Sequence, residues 1–229
     1  MAFARFGFRT VLAATALAAA GAAQATVVYS GPVNLVIPNT TAGLYLNVLD
    51  GTSYTGPSTF PVLGGPGANY DVNIFGSTAW TFFSPTSSGQ SAPTVPTTSR
   101  GYVSASASGG AIGLSLGTLI DNSSIFNVNS PSAAAVSTGA PVIVGFRFRN
   151  EGADLASAAD DTVHFGWMRL LLTGGTPGTL IDYAFESTPL TGIGAGLTAA
   201  VPEPATWLSM ALGLAGLAVG LRRRVSRTR

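Results

Sequence analysis

Between Thr26 and Thr198 the chain repeats one arrangement, a short apolar run followed by a cluster of Gly, Pro, Asn and Ser. The runs are Val27–Ser30, Val33–Ile37, Leu44–Leu49, Asp71–Phe75, Ala79–Phe83, Gly101–Ser104, Ile112–Leu116, Val142–Arg149, Val163–Leu172 and Leu180–Glu186. Several of them alternate. In VIVGFRFR, Val142, Val144, Phe146 and Phe148 share one parity, and Arg147 and Arg149 take the other. In TLIDYAFES, Ile181, Tyr183 and Phe185 oppose Asp182 and Glu186. Period two with turn residues between the runs describes half-buried strands. No convincing helical period occurs in this region. The expected fold is therefore all-β, an antiparallel β-sandwich or jelly-roll-like ectodomain over residues 26–198. About 170 residues can bury a core without covalent staples. Trp167 and Tyr183 each fall on the apolar parity of their strand, and TGGTPG between them suits a hairpin. Both are expected in the core, on facing or adjacent strands. The uncharged, Pro-rich stretch Ser84 to Ser99 is expected to be a long exposed loop.

The two ends break the pattern. Arg5 and Arg9 precede an apolar stretch, Val11 to Ala20, that is too short to span a bilayer. Ala23 and Ala25 then put small residues at the two positions a signal peptidase inspects. Residues 1–25 read as a signal peptide cut after Ala25, with an uncleaved amphipathic helix as the alternative. At the other end, Ala205 to Leu221 is 17 residues without a charge. As a helix it would reach about 25 Å, at the lower end of known membrane spans. Arg222, Arg223 and Arg224 follow at once, placed to stay in the cytoplasm with the body outside. Pro202 and Pro204 favour an extended chain just before the apolar run. Residues 199–229 thus divide into the motif at 201–204, one transmembrane helix at 205–221 and an Arg-rich cytoplasmic end at 222–229.

Val201-Pro202-Glu203-Pro204-Ala205, then a Gly/Ala/Leu helix containing Trp207, then three arginines, resembles the PEP-CTERM sorting signal of Gram-negative bacteria. The resemblance covers residues 201 to about 224. It implies recognition by exosortase, a membrane-embedded, transpeptidase-like enzyme that cuts at or near the Pro-Glu-Pro. Val201, Pro202, Glu203 and Pro204 would be read as substrate, not as catalyst. A second stretch, His164 to Gly196, is similar to a segment common just ahead of such tails. Its matching residues are Phe165, Gly166, Trp167, Ala184, Phe185, Glu186, Ser187, Thr188 and Pro189. Leu190 stands where that segment usually carries Gly, which bears on the turn geometry. The resemblance implies a β-sandwich ectodomain of unassigned activity.

Composition narrows the chemistry. The chain has no Cys and hence no thiolate nucleophile or disulfide. Between Thr26 and Ala200 there are four Arg against nine acids, a net charge of −5 before His164. A mildly acidic body argues against nucleic acid as a partner. Gly113 to Gly117 spells GxSxG, and Ser115 with an Asp and His164 has the chain order of an α/β-hydrolase. The required helix after the serine is missing from the pattern, and the spacing arises easily in a chain with 29 Gly. His164, the single histidine, has no evident nucleophile or second metal ligand; a hydrogen-bonded or surface role is the plainer one. Asp154, Asp160 and Asp161 offer oxygen ligands for Ca²⁺ without EF-hand spacing, and a solvated acidic loop is the alternative. Trp80, Phe82 and Phe83 suit either a sugar platform or, for at least two of them, core packing. No catalytic residue and no cofactor is expected.

The expected protein is therefore a non-enzymatic, exported surface or matrix protein, associated with biofilm or exopolysaccharide. Exosortase and signal peptidase would process it, and the inner membrane would hold it transiently. A carbohydrate-binding module on the same sandwich is the alternative, and a secreted hydrolase the third reading.

Overall fold

The long alternating runs near the C-terminal end become the centre of the protein. In the computed structural model, β10 (Pro141–Asn150), β11 (Thr162–Leu171) and β12 (Gly178–Glu186) form an antiparallel meander. Their aromatic and branched side chains suit a pleated surface packed on both sides. The structure describes residues 26–56, 70–76, 79–83, 100–127, 136, 138–150, 159–174 and 177–199. The expected signal peptide at residues 1–25, the Ser84–Ser99 stretch, Asp154 and residues 200–229 lie outside these. Thr26–Ala200 is one compact unit. All its described regular elements are strands, and no helix among the described residues is long and apolar enough to cross a membrane.

The remaining strands are β1 (Val27–Tyr29), β2 (Leu35–Ile37), β3 (Leu44–Leu46), β4 (Ser53–Tyr54), β5 (Val72–Phe75), β6 (Thr81–Phe83), β7 (Gly101–Val103), β8 (Leu119–Ile120), β9 (Phe126–Asn127) and β13 (Ile193–Gly194). The main sheet runs β1-β12-β11-β10-β7-β9, and β2 also pairs with β12. β1 lies along the C-terminal part of β12 and β2 along its N-terminal part. Between them, Val33 and Asn34 both donate backbone hydrogen bonds to the Ile181 carbonyl. A second sheet runs β4-β3-β5-β6, and β8 and β13 make a two-stranded ladder.

One apolar cluster joins the two larger sheets. Val144, Phe146, Phe148, Met168 and Leu170 from the main sheet share it with Leu44, Leu46, Ile74, Trp80 and Phe82. Tyr102 stitches the sheets together: its hydroxyl donates to the Phe83 carbonyl at 2.8 Å and accepts from Asn73 N at 3.0 Å. The opposite face of the main sheet carries Phe165, Trp167 and Ala184, covered by Ile120, Ile193 and Ala195. The central strands are thus buried on both faces, not half-buried as their alternation suggests.

Two further corrections follow from the pairing. Ile112–Leu116 forms no strand; only isolated bridges occur there, Leu114 to Ile143 and, just before the run, Ala111 to Ser104. Ile181 does not share a face with Tyr183 and Phe185. The β11–β12 register shifts between Arg169 and Leu170, so Leu180 opposite Leu170 joins Tyr183 and Phe185 in the first cluster. A bulge of this kind adds one residue and reverses parity beyond it. Trp167 and Tyr183 are both buried on adjacent strands, as expected, and they lie on opposite faces: Trp167 pairs with Ala184, and Tyr183 with Met168.

Gly166 explains the aromatic-Gly-Trp run. It pairs with Phe146 across the ladder, and a Cβ there would lie 2.5 Å from the Phe146 ring and 2.7 Å from the Ala184 carbonyl oxygen. The missing side chain lets that ring lie over the strand, while Phe165 and Trp167 point the other way.

Candidate functional site

Ser115 sits in an exposed turn, where its carbonyl accepts from Thr118 N at 3.1 Å. His164 is buried in β11. Its Nδ1 lies 2.8 Å from the Glu186 carbonyl oxygen and its Nε2 lies 2.8 Å from the Thr162 hydroxyl. The ring stacks on Phe148 at 5.6 Å. Both ring nitrogens are therefore committed to groups other than Ser115, and neither strand-elbow-helix geometry nor a base–nucleophile contact is formed.

Of the acidic candidates, Asp161 pairs with the Arg149 guanidinium at 3.1 Å, their side chains only 6% and 7% exposed. Alternation places Arg149 on a polar face; the structure buries it and supplies a counter-charge. Asp160 is exposed. Among the described residues no group of three or more metal-ligating side chains converges. Trp80 and Phe82 belong to the core between the sheets, and Phe83 is half-buried. They form no exposed platform.

The structure does assemble one polar cluster that alternation alone does not reveal. On the second face of the main sheet, Asp182 of β12 is opposite Arg169 of β11. Asp182 Oδ2 accepts from the Tyr29 hydroxyl at 2.8 Å and lies 3.0 Å from Arg169 Nη2. The Arg169 guanidinium sits 5.6 Å from the Trp167 ring centroid, and the Tyr29 ring lies 6.2 Å from the same indole. Trp167 Nε1 donates to the Leu197 carbonyl at 2.9 Å, anchoring the covering segment. Hydrogen bonding to Asp182 is the main reason that the Tyr29 phenol is raised above its ordinary value. Arg169 and Tyr29 remain about a third exposed. Asp182 Oδ1 and Arg169 Nε have no hydrogen-bond partner among the described residues. Both atoms are buried, so what the cluster offers to solvent is the Tyr29 side chain and the exposed part of Arg169. The sequence clue was present as opposite charges at Arg169 and Asp182, but their juxtaposition depends on the hairpin register.

Leu190 occupies the turn position where similar segments carry Gly. It has φ of 58° and is 62% exposed, while its N donates to the Val163 carbonyl at 2.9 Å. The turn keeps a glycine-like, left-handed backbone despite the side chain, which costs about 1 kcal/mol.

The remaining site residues of the sequence reading are Ala23 and Ala25, Val201 to Pro204, and Arg222 to Arg224. All lie outside the described residues. Residues 200–224 match the PEP-CTERM protein-sorting motif. No curated protein and no solved structure matches the chain.

Proposed function

We infer that this chain, an exosortase substrate by its PEP-CTERM sorting motif, is an exported surface or matrix protein without catalytic activity. The observation that carries the reading is the motif match at residues 200–224, directly after the all-β body. In this reading signal peptidase cuts after Ala25 and the body is a jelly-roll-like sandwich outside the inner membrane of a Gram-negative cell. Residues 205–221 cross that membrane as a helix, held by Arg222, Arg223 and Arg224 until exosortase acts near Pro202-Glu203-Pro204. The released body then takes a structural place in the biofilm matrix, in contact with exopolysaccharide. Support for a temporary anchor comes from the short apolar span and from prolines that keep the cut site extended.

Changing Pro202-Glu203-Pro204 to three alanines separates a sorting signal from a plain anchor, because topology and hydrophobicity are retained. The variant should accumulate uncut in the inner membrane. Mass spectrometry of the wild-type product should find no peptide from Arg222 onward. An intact tail on the mature wild-type protein, in a host with active exosortase, would refute the reading.

A carbohydrate-binding role is the second reading. The partly exposed side chains of Tyr29 and Arg169 favour it, as an aromatic ring beside a guanidinium suits a sugar. A glycan array probed with the exported protein and with Tyr29→Ala tests it. Binding lost with Tyr29 supports the sugar site, and no binding by the parent removes it.

A further inference from the structure

Glu186 ends β12 and is 0% exposed. Its Oε1 accepts Thr26 N at 2.7 Å and Thr188 N at 2.9 Å. Its Oε2 is buried and has no hydrogen-bond partner among the described residues. No described side chain forms an ion pair with it. The backbone around this carboxyl group is well fixed. Val27 pairs with Glu186, Ser187 N donates to the Thr26 carbonyl at 2.9 Å, and His164 holds the Glu186 carbonyl. A carboxylate removed from water without a counter-charge or full hydrogen bonding is strongly unfavourable. The group nearest to Oε1 is the nitrogen of Thr26, the residue that follows Ala23-Gln24-Ala25.

We propose that buried Glu186 is the binding site for the α-ammonium group that signal-peptide removal exposes at Thr26, so that the cut itself completes the folded body. The proposal rests on cleavage after Ala25. Hydrolysis of the Ala25–Thr26 bond consumes one water, leaves a carboxylate on Ala25 and an amine on Thr26, and that amine takes up a proton near neutral pH. One amide N–H is thereby replaced by three N–H donors carrying a full charge. Oε2 gains a donor, and the carboxylate gains its counter-ion in a site sealed from water. Before the cut, the same nitrogen is a neutral amide and Glu186 lacks that charge. The uncleaved chain therefore folds less tightly than the processed one, and export and final stability are linked through a single residue.

The chain contains no lysine, so the α-amino group of the processed protein is its sole primary amine. Amine-reactive reagents therefore report on this group alone. The exported protein is compared with a variant carrying Ser-Gly inserted between Ala25 and Thr26, which moves the amine two residues away and leaves Thr26 N as an amide. The N-terminus of each is first read by mass spectrometry. Labelling by a succinimidyl ester should be at least about tenfold slower in the parent than in the insertion variant. The insertion should raise the unfolding equilibrium constant in urea at least about tenfold, the scale of a charge-assisted hydrogen bond. Glu186→Gln should have a similar effect in the parent and a much smaller one in the insertion variant. If Glu186→Gln does not fold, the insertion and the labelling rates still decide. Equal labelling rates or equal unfolding curves, in protein shown to begin at Thr26, overturn the proposal and leave the cleavage reading standing. An exported protein that begins elsewhere overturns both.

Discussion

The two faces of the main sheet are buried by different means. Toward the second sheet, Val142, Val144, Phe146, Phe148, Met168, Leu170, Tyr183 and Phe185 present an almost wholly apolar surface. On the other face, Phe165, Trp167 and Ala184 share the strands with Arg147, Arg149, Arg169, Asp182 and Glu186. There two arginines meet carboxylates, while Glu186 is held by backbone N–H groups rather than by a counter-charge. Arg149 meets Asp161, Arg169 meets Asp182, and Arg147 lies 4.3 Å over the Phe126 ring while its Nε donates to the Arg100 carbonyl. An apolar face tolerates any partner of suitable volume, whereas a buried charge tolerates only its counterpart. The first face supplies burial, and the second adds a constraint on which segment covers it.

The largest effect should come from the aromatic centre of the second face. Trp167→Ala removes a fully buried indole and its bond to Leu197, and should cost about 3–5 kcal/mol by urea unfolding, as much as Phe148→Ala on the first face. An unchanged thermal midpoint would mean that this face is not a core. Asp161→Ala sharpens the contrast, because it removes the carboxylate paired with the buried Arg149 guanidinium. A loss of about 3 kcal/mol is expected, much of it recovered when Arg149→Met is added. If the single variant is neutral, the pair contributes nothing to the fold.

Alkaline titration probes the first face instead. Burial raises the phenols of Tyr102 and Tyr183, both in the first cluster, above their ordinary values. The unfolded chain releases those protons near pH 10, and the folded chain releases them only at higher pH. The stability they confer is therefore complete below about pH 10 and is lost as pH rises through and beyond it, at about 1.4 kcal/mol per pH unit for Tyr102. A urea midpoint that stays level from pH 9.5 to 11.5 would contradict this. The smallest effect lies at the edge of the second face. Leu190→Gly relieves a left-handed, exposed leucine and should stabilise by about 0.5–1 kcal/mol. A loss of stability would show that the leucine side chain packs on something.

Much of the fold was legible because strands are written locally. Nine of the ten apolar runs hold a strand in the structure, with ends displaced by a few residues. Ile112–Leu116 failed because its alternation was not matched by a partner strand long enough to extend two isolated bridges. The short strands Ser53–Tyr54, Leu119–Ile120, Phe126–Asn127 and Ile193–Gly194 carried no run of their own. They are strands by virtue of their neighbours. At the site, His164 was readable as a lone histidine without a partner nucleophile. The Tyr29–Asp182–Arg169 cluster was not readable, since its members are brought together by β1 pairing with the far end of the chain.

The sequence by itself determined the strand-forming runs and the PEP-CTERM motif at residues 200–224, because alternation and linear motifs are properties of neighbouring residues. Only the tertiary structure decided that the central strands are covered on both sides and that Ile181 is the extra residue of a bulge. The same holds for the burial of Arg149 and for Glu186 resting against Thr26. Period two states which side chains share a face, but it does not state what covers the face or where the register slips. Those depend on contacts between residues as far apart as 26 and 186, whose energies are paid or recovered only when the whole sheet closes.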